Sequence, residues 1–317
     1  MNCHIVPKVY LKQWKIPKTE SGIYVFSKNR LTENGNHRNI KKLKDTSFAF
    51  ENYYILNSSN PDHEYALGGS PCLSEQDEKT IENYFAHRVE QNWKKFLNYI
   101  ERELLHKKTN KTREECKEFF LEFLVTQFMR REENFKLFTA DTFDMVFEVL
   151  NSMISDGELT DNDKTHATNS IFFNVLLNQA RGEPNLISKL IRKLDNEFQI
   201  YFLFASKNTC FITSDNPCFY NNDKYDTICS GVFMPINKNI CAFLAEKSQL
   251  KVSNPERYIL IDLTKDNVKY INGLICEYCI ESLAYDNMAI SDLIGTRFAK
   301  VHWKKSFERV LRKDEDA

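Results

Sequence analysis

Residues 75–106 read EQDEKTIENYFAHRVEQNWKKFLNYIERELLH, and they predict one long amphipathic helix. Apolar side chains recur there every three or four positions, a spacing that places them on one face of a helix. These side chains are Ile81, Phe85, Val89, Trp93, Phe96, Ile100 and Leu104. A Gly- and Pro-containing break at 68–71 precedes the stretch, and Ser74 with Asp77 has the pattern of a helix N-cap. The stretch therefore marks the start of a helical region.

The helical pattern continues to about residue 197, and short apolar runs lie on both sides of it. Further helices are predicted at about 112–136, 138–154, 164–180 and 184–196. The flanking runs are rich in β-branched and aromatic residues, which is typical of strands. They are GIYVFSK (22–28), FENYYIL (50–56), FQIYFLFAS (198–206), TCFITSD (209–215), GVFMPIN (231–237), ICAFLAE (240–246) and YILIDLT (258–264). A helix at about 264–283 and a basic helix at about 299–312 complete the predicted order.

This order predicts an α+β fold, in which an antiparallel or mixed sheet is built from both chain ends and a large helical part is inserted at about 75–197. Because strands occur near both ends, we expect one intertwined domain over 1–317. Its parts are a β-rich N-terminal part (1–73), a helical part (74–197), an α/β part (198–300) and a basic C-terminal helix with a tail (301–317).

Composition excludes several classes of protein. The 317 residues include 43 Lys and Arg and 44 Asp and Glu, an ordinary content that argues against a disordered or coiled-coil chain. No run approaches 18 apolar residues, and the N-terminus lacks the apolar core of a signal peptide, so neither a membrane partner nor export is expected. Nine cysteines are an odd number, which favours free thiols in a cytoplasmic location. The one C-x-x-C, Cys276–Cys279, favours buried thiols over a zinc site.

Polar side chains interrupt the apolar face of the predicted helix at 112–136. Gln127 and Arg130 continue the stripe that begins at Cys116. One interpretation is that the helix end emerges into solvent there, where long arginines commonly extend. The other places the amide and the guanidinium at the lip of a pocket, where a planar fork suits a phosphate or carboxylate.

A second polar interruption follows an apolar strand at 213–217, in the sequence TSDNP. Asp215 and Asn216 before a proline favour a turn in which short polar side chains bond their own backbone. The same side chains, with Ser214 beside them, also suit a site for a metal or a substrate hydroxyl at a strand end.

The third interruption is His4, which lies beside Ile5, Val6 and Pro7. A lone histidine in such surroundings is either a satisfied, partly buried residue or a ligand or general base. Glu82 and Glu90 each follow a residue of the apolar stripe, and the eight positions between them correspond to about 12 Å along a helix. They are either solvated edge charges or part of a site shared with Arg130.

Several short motifs, taken in order, resemble the family called domain of unknown function 4238 (DUF4238). They are HIVPKVYLKQW (4–14), IENYFAHRVE (81–90), QFMR (127–130), FITSDNPCFY (211–220), FMPIN (233–237) and NGLICEYCIESLAY (272–285). One departure is Trp14, where the family usually has Phe. The resemblance implies a bacterial or phage-borne intracellular protein and carries no established activity. It groups the polar residues that break the apolar pattern, namely His4, Glu82, Glu90, Gln127, Arg130, Asp215 and Asn216.

Motifs that serve packing normally consist of apolar, Gly or Pro residues, so a motif of charged and amide side chains favours an active or binding site. The leading hypothesis is a metal-assisted hydrolase of a phosphate-containing substrate, a nuclease or nucleotide hydrolase, with a possible context in toxins or antiphage defence. His4 and Asp215, with a glutamate such as Glu90, would hold a divalent cation, Mg²⁺ or Mn²⁺, that activates water. Arg130 would stabilise the charge that develops on phosphorus.

In this hypothesis the remaining polar residues contact the substrate: Gln127, Asn216, Ser214 and Glu82. One alternative is a non-catalytic sensor or binding module with a buried polar network. Another is a metal-free transferase or glycosidase that uses Glu90 and Asp215 as acid and base. The basic run HWKKSFERVLRK (302–313) suggests a contact with a nucleic-acid backbone, although a solvated helix face is more common.

Overall fold

The computed structural model of the chain describes the residues that carry the predicted motifs. The described ranges are 2–28, 39–42, 48–57, 59–66, 78–100, 114–131, 134–136, 160–221, 231–247 and 259–285. The predicted helices at 138–154 and 299–312, the break at 68–71 and the N-cap pair Ser74 and Asp77 lie outside these ranges.

Short strands and helices alternate in the N-terminal part. In chain order they are β1 (Asn2–His4), α1 (Lys8–Leu11), a 3₁₀ turn (Lys12–Trp14), β2 (Gly22–Ser27), β3 (Asn39–Lys42), β4 (Ala49–Glu51) and α2 (Pro61–Ala66). The stretch FENYYIL, read as one apolar run, forms only the end of β4 and the turn that follows it.

Longer helices make up the described middle of the chain. They are α3 (Thr80–Tyr84), a π-helix (Phe85–Glu90), α4 (Gln91–Tyr99), α5 (Glu114–Met129), α6 (Asp161–Arg181) and α7 (Leu186–Glu197). The remaining elements are β5 (Phe198–Phe204), β6 (Thr213–Ser214), β7 (Phe219–Asn221), β8 (Gly231–Asn237), β9 (Ile240–Glu246), β10 (Ile259–Asp262), α8 (Lys265–Tyr278) and β11 (Ser282–Tyr285).

The strands form three sheets. A two-stranded sheet pairs β1 with β4, and a five-stranded sheet has the order β10-β5-β9-β8-β7, in which only the β10–β5 pair is parallel. The third sheet has the order β3-β2-β11-β6, so strands from both ends of the described chain lie side by side in it. This arrangement confirms the α+β prediction. No helix among the described residues is long and apolar enough to cross a membrane.

Local sequence explains where the best-defined helices begin and end. Thr160 caps α6 by accepting a hydrogen bond from the Asp163 backbone, and the Asp163 carboxylate bonds back to the Thr160 N–H. The same helix ends at Gly182, whose φ of 77° is a left-handed conformation that glycine adopts without steric cost. Asn185 then caps α7 in the same reciprocal way as Thr160.

The π-helix lies in the middle of the helical stretch 80–99 and changes which side chains share a face. In a regular α-helix, residues eight positions apart lie about 80° apart around the axis. A π turn contains more residues, so it rotates Glu90 towards the face that carries Glu82. Single π turns inside helices occur frequently at functional sites.

The N-terminal segment is fastened to the C-terminal sheets by buried hydrogen bonds. The Tyr10 hydroxyl lies 2.8 Å from the Thr213 hydroxyl and donates to the Pro235 carbonyl at 2.6 Å. The Trp14 indole donates to the Phe211 carbonyl at 2.9 Å. Three of the motifs that resemble the family therefore meet at one packed junction, and their Tyr, Trp, Thr and Pro residues serve the fold.

Replacing Tyr10 by phenylalanine should destabilise the protein by about 1–2 kcal/mol, because the buried Pro235 carbonyl loses its donor and the Thr213 hydroxyl loses its acceptor. Urea unfolding measures the loss. A double-mutant cycle with Thr213→Val should give a coupling energy of about 0.5–1.5 kcal/mol, since the two hydroxyls bond each other. Strict additivity of the two substitutions would contradict the contact.

The buried cysteines contribute to core packing rather than to metal binding or thiol chemistry. All seven cysteines in the described part of the chain are free, and six of them are buried. Burial raises the pKa of Cys276 to about 12, and burial also raises the pKa of Cys279. These thiols stay protonated at neutral pH and lack the thiolate that ligates metal or attacks disulfides.

Candidate functional site

The last turn of α5 carries two buried polar side chains that reach the N-terminal segment. Gln127 is 2% exposed, and its Nε2 donates to the Ile5 carbonyl at 2.8 Å. Arg130 is fully buried, and its Nη1 donates to the His4 carbonyl at 3.2 Å. The interpretation that this helix end emerges into solvent is therefore wrong. The two side chains are three positions apart, lie on one face and hold the backbone of residues 4 and 5.

The guanidinium of Arg130 connects this segment to the π-helix. Its Nη2 lies 3.3 Å from the Glu90 carboxylate, and its Cζ lies 3.9 Å from the centre of the Phe85 ring. Glu90 remains 20% exposed, so the site meets solvent on this side. The Tyr54 hydroxyl donates to the Arg130 carbonyl at 2.8 Å. Backbone and side chain of Arg130 are thus both fixed.

The imidazole of His4 is buried near the charges of Lys8 and Arg130. His4 is 9% exposed, and neither ring nitrogen has a hydrogen-bond partner in the described part of the chain. Burial lowers the pKa of His4 to about 4, and the nearby charges of Lys8 and Arg130 act in the same direction. The ring is therefore neutral at pH 7, with one nitrogen able to donate a proton and the other able to accept one.

Glu82 lies beside these groups and differs from Glu90 in its bonding. Glu82 is partly buried, and it accepts a hydrogen bond from the Cys3 thiol. Burial raises the pKa of the Glu82 carboxyl, and the nearby Glu90 carboxylate raises it further. The charge of Arg130 lowers this pKa, but the overall shift is upward. Two neighbouring carboxyl groups in different surroundings, one beside a thiol and one beside a guanidinium, are found in many acid–base sites.

We call His4, Glu82, Glu90, Gln127 and Arg130 the His4 cluster. Two further atoms in it, Gln127 Oε1 and Arg130 Nε, are buried and have no partner among the described residues. A buried polar atom without a partner costs about 1–3 kcal/mol, so native structures normally satisfy such atoms with water or a ligand. Together with the two ring nitrogens of His4, four such atoms lie in this cluster, which makes it our candidate site for a small polar ligand.

Arg131, the residue after Arg130, belongs to a second group of polar residues, which we call the Asp215 clamp. Arg131 Nε donates to the Asp215 carbonyl at 3.1 Å, and its Nη2 lies 3.4 Å from the Asp215 carboxylate. Since Arg130 holds the His4 carbonyl and the next residue holds Asp215, two adjacent arginines directly after α5 connect this helix to the N-terminal segment and to the 213–217 turn. The clamp consists of Arg131, Asn134, Ser214, Asp215 and Asn216.

The Asp215 carboxylate is saturated by the turn before β11. It is 1% exposed and accepts hydrogen bonds from the backbone N–H groups of Ile280 (3.0 Å), Glu281 (2.9 Å) and Ser282 (3.1 Å). The Cys279 thiol lies 3.5 Å away as a further donor. This bonding uses the lone pairs that a metal or a substrate would need.

The neighbours of Asp215 are bonded in the same way. The Asn216 amide accepts from Asn134 at 2.9 Å and donates to the Tyr278 carbonyl at 3.0 Å. The Ser214 hydroxyl accepts from the Asn216 N–H at 3.1 Å, which is the local bonding expected of a turn before proline. The clamp therefore fixes the 213–217 turn against α8, β11 and α5.

The structure brings the eight predicted site residues into two adjoining groups. His4, Glu82, Glu90, Gln127 and Arg130 form the His4 cluster, while Ser214, Asp215 and Asn216 lie in the clamp. Among the described residues, no three His, Cys, Asp or Glu side chains are grouped so that they could hold a metal ion. The metal-binding roles of His4 and Asp215 stay predictions, as do the catalytic roles of His4, Glu90, Arg130 and Asp215 and the substrate-binding roles of the other four residues.

Sequence reasoning left out four side chains that shape the two groups: Cys3, Lys8, Arg131 and Asn134. Lys8 and Cys3 lie within four residues of His4, and their positions gave no periodic signal. Arg131 was visible as the second residue of an Arg-Arg pair. Its role depends on backbone acceptors 84 positions away, which no local pattern shows.

The burial of the His4 ring predicts that the stability of the protein depends on pH. Because the pKa of His4 falls from 6.5 to about 4 on folding, the unfolded chain binds a proton more readily than the folded one. The contribution of His4 to stability is therefore constant above about pH 6.5, decreases as the pH falls towards 4 and levels off below pH 4. The expected loss is about 3 kcal/mol once it has levelled off.

This loss is measured by urea unfolding at pH 7 and pH 4.5 for the wild type and for His4→Asn. The difference between the two proteins should shift by about 2 kcal/mol in favour of the variant at the lower pH. Burial also lowers the pKa of His63, but that residue is common to both proteins. Parallel pH profiles would show that His4 is not buried in its neutral form.

Fold and site together define an α+β protein whose polar residues meet between the N-terminal segment, the helical layer and the 213–217 turn. The chain belongs to the family described as "Protein of unknown function (DUF4238)", which matches residues 2–288. The resemblance seen in the motifs is thus confirmed. No curated protein and no solved structure matches the chain.

Proposed function

We propose that the protein is a hydrolase of a phosphate-containing substrate, a nucleic acid or a nucleotide, and that the His4 cluster is its active site. The observation that carries this proposal is the buried imidazole of His4, whose nitrogens have no partner among the described residues and which lies near the charge of Arg130. Arg130 in turn holds the His4 carbonyl and pairs with Glu90. A neutral imidazole with a free nitrogen is the commonest general base in proteins.

The cations of the cluster suit a phosphate group. The Arg130 guanidinium lies beside the His4 carbonyl, and its Nε–H has no partner among the described residues. Lys8 lies close enough to His4 and Glu82 to influence the pKa of both. Fixed cations that face developing negative charge stabilise a phosphoryl transition state without reorganising.

In this proposal the Asp215 clamp positions the site rather than contacting the substrate. Its carboxylate and amide groups are occupied by protein donors and acceptors. Because Arg131 is adjacent to Arg130, the clamp fixes the helix end that presents Arg130 and Gln127. A divalent cation remains part of the proposal as an option that the experiment below tests.

The second candidate is a non-catalytic ligand-binding module, and one observation favours it. Arg130 is fully buried and already bonds the His4 carbonyl and Glu90, as expected of a residue in a buried polar network. A module of this kind would bind a phosphate compound at the His4 cluster and leave it unchanged.

The experiment compares RNA, DNA and nucleotides as substrates for the purified full-length chain, each with EDTA, with Mg²⁺ and with Mn²⁺. The proposal predicts loss of at least one substrate. Loss only with added metal would support the cation, and loss in EDTA would assign the chemistry to the protein's side chains. Binding of a phosphate compound without turnover in all arms would favour the module and contradict the hydrolase.

A role in a toxin or antiphage system is a further part of the proposal and rests on context alone, because small intracellular hydrolases often serve in such systems. Expression of the wild type and of His4→Asn in bacteria tests it. Wild-type expression should slow growth or reduce phage plating, and the variant should do neither. Equal behaviour of the two proteins would contradict this role.

A further inference from the structure

We infer that Arg88 and Glu122 are positioning residues of the His4 cluster, because their ion pair holds the π-helix in the register that places Glu90 on Arg130. Arg88 and Glu90 both belong to the π-helix. Glu122 lies in α5, and Arg130 follows directly after this helix. Two ion pairs, each at 3.3 Å, therefore connect the same two parts of the chain. Their coupling concerns the conformation of the cluster, and only its effect on turnover rests on the proposed function.

The contact between Glu90 and Arg130 depends on the π conformation. The Arg130 guanidinium touches two side chains of the π-helix: its Cζ lies 3.9 Å from the centre of the Phe85 ring, and its Nη2 lies 3.3 Å from the Glu90 carboxylate. These side chains are five positions apart, and in a regular α-helix they would lie about 140° apart around the axis. In a π-helix the backbone bonds join residues five apart, so both side chains lie on one face and reach the same guanidinium.

A second carboxylate, that of Glu122, holds the beginning of the same segment. Its Oε1 accepts a hydrogen bond from the Tyr84 hydroxyl at 2.8 Å and lies 3.3 Å from Arg88 Nε. Tyr84 is the last residue of α3 and Arg88 lies inside the π-helix, so one oxygen joins the two elements. Gln179 of α6 donates to the same oxygen at 3.3 Å and to the Tyr84 hydroxyl at 3.0 Å. Glu122 is thus a fixed point against which the π-helix is aligned.

The two ion pairs have opposite polarity, which specifies one alignment. Glu122 and Arg130 supply an acid and a cation from one side, whereas Arg88 and Glu90 supply a cation and an acid from the other. A displacement of Arg88 towards Arg130, or of Glu90 towards Glu122, would bring like charges together. Repulsion of this kind is a common means of excluding wrong alignments. The Arg88–Glu122 pair therefore excludes positions of the π-helix in which Glu90 loses Arg130.

Burial separates this coupling from a purely local surface contact. The Arg88 side chain is 59% exposed, so its replacement opens no cavity in the core, whereas the Arg130 side chain is 1% exposed. An exposed ion pair that acts only locally contributes little to stability. A change at the buried Arg130 guanidinium after substitution of Arg88 is therefore a readout that a local contact does not move.

The test is NMR of the full-length chain labelled with ¹⁵N-arginine, in which the rotation of the Arg130 guanidinium about its Nε–Cζ bond is measured. Glu90→Gln removes the charged partner directly, and we expect the rotation to become at least about tenfold faster. Arg88→Met should accelerate it by at least about threefold, because Glu90 then leaves Arg130 in part of the molecules. Arg88→Lys keeps the positive charge and should retain the wild-type rate.

Lys117→Met is the matched control. Lys117 also lies in α5 and forms a partly exposed ion pair with Asp195, but this pair joins α5 to α7 and not to the π-helix. It should leave the rotation of Arg130 unchanged.

Three results would overturn the positioning role of the Arg88–Glu122 pair. They are a wild-type rate in Arg88→Met, a rate in Arg88→Lys as high as in Arg88→Met, and a wild-type rate in Glu90→Gln. Each of them would leave the proposed hydrolase in place, because the readout does not depend on turnover. Conversely, a failure to consume any phosphate substrate would contradict the hydrolase and leave this coupling intact.

Discussion

Replacing Asp215 by alanine is expected to destabilise the protein by about 3–5 kcal/mol. The substitution removes the acceptor of the backbone N–H groups of Ile280, Glu281 and Ser282, and it leaves Arg131 buried without its carboxylate. An uncompensated buried charge and several unbonded N–H groups are each costly in a low-dielectric interior. The free energy of unfolding in urea or guanidinium measures the effect.

The matched control is Asp62→Ala. Asp62 also accepts two side-chain hydrogen bonds, from His166 at 2.6 Å and Asn169 at 3.0 Å, but His166 is largely exposed. Its loss should cost about 1 kcal/mol or less. An Asp215→Ala protein that keeps wild-type stability and loses turnover would instead support the catalytic role that the sequence predicted for Asp215.

Replacing His4 by asparagine is expected to lower the turnover of a phosphate substrate by about 10²–10⁴-fold. The imidazole is the base in the proposed site, and an amide does not take up a proton at neutral pH. Stability at pH 7 should change by less than about 1 kcal/mol, because the ring makes no hydrogen bond with the described residues that the substitution would remove. Initial rates and thermal melting of the same preparations measure both effects.

His63→Asn is the matched control for this prediction. His63 is also buried, but its Nδ1 accepts a hydrogen bond from the Asn57 N–H, and its ring packs against Phe173. This substitution should lower stability and leave the rate per folded molecule unchanged. Similar losses of rate in the two variants would mean that both act through folding, which would contradict the role of His4.

Periodic patterns predicted most of the longer helices and strands in the described part of the chain, but not the short elements β1, α1, β3, α2 and β7. The apolar stripe from Ile81 to Ile100 forms α3, the π-helix and α4, and the flanking runs contribute strands to all three sheets. The π-helix was not predicted, because an i→i+5 turn leaves no distinct spacing in one sequence. The pairing of β2 with β11 depends on contacts between distant segments, which local propensity does not specify.

The candidate site was predictable as a set of residues and not as an arrangement. Gln127 and Arg130 were visible because polar residues continued an apolar face. Their partners are the carbonyl groups of Ile5 and His4, and backbone acceptors carry no sequence signal. For the same reason, the sequence did not show that the Asp215 carboxylate is occupied by three N–H groups.

The division of the polar residues into two groups follows from these backbone contacts. The side chains of Asp215 and Asn216 fasten a turn. In contrast, the ring nitrogens of His4, Gln127 Oε1 and Arg130 Nε have no hydrogen-bond partner in the described part of the chain. The polar residues of these motifs thus fall into two sets: one that holds the fold together, and one whose atoms have no partner among the described residues. The proposed function depends on the second set.

The most direct measurement is NMR of the His4 imidazole in protein labelled with ¹⁵N-histidine, with His4→Asn used to assign its signals. The account predicts a neutral ring at pH 7 that titrates near pH 4 and whose nitrogen shifts change when a non-cleavable phosphate oligonucleotide is added. A ring that titrates near 6.5, or nitrogen shifts that stay constant while the oligonucleotide binds, would contradict a site built around His4.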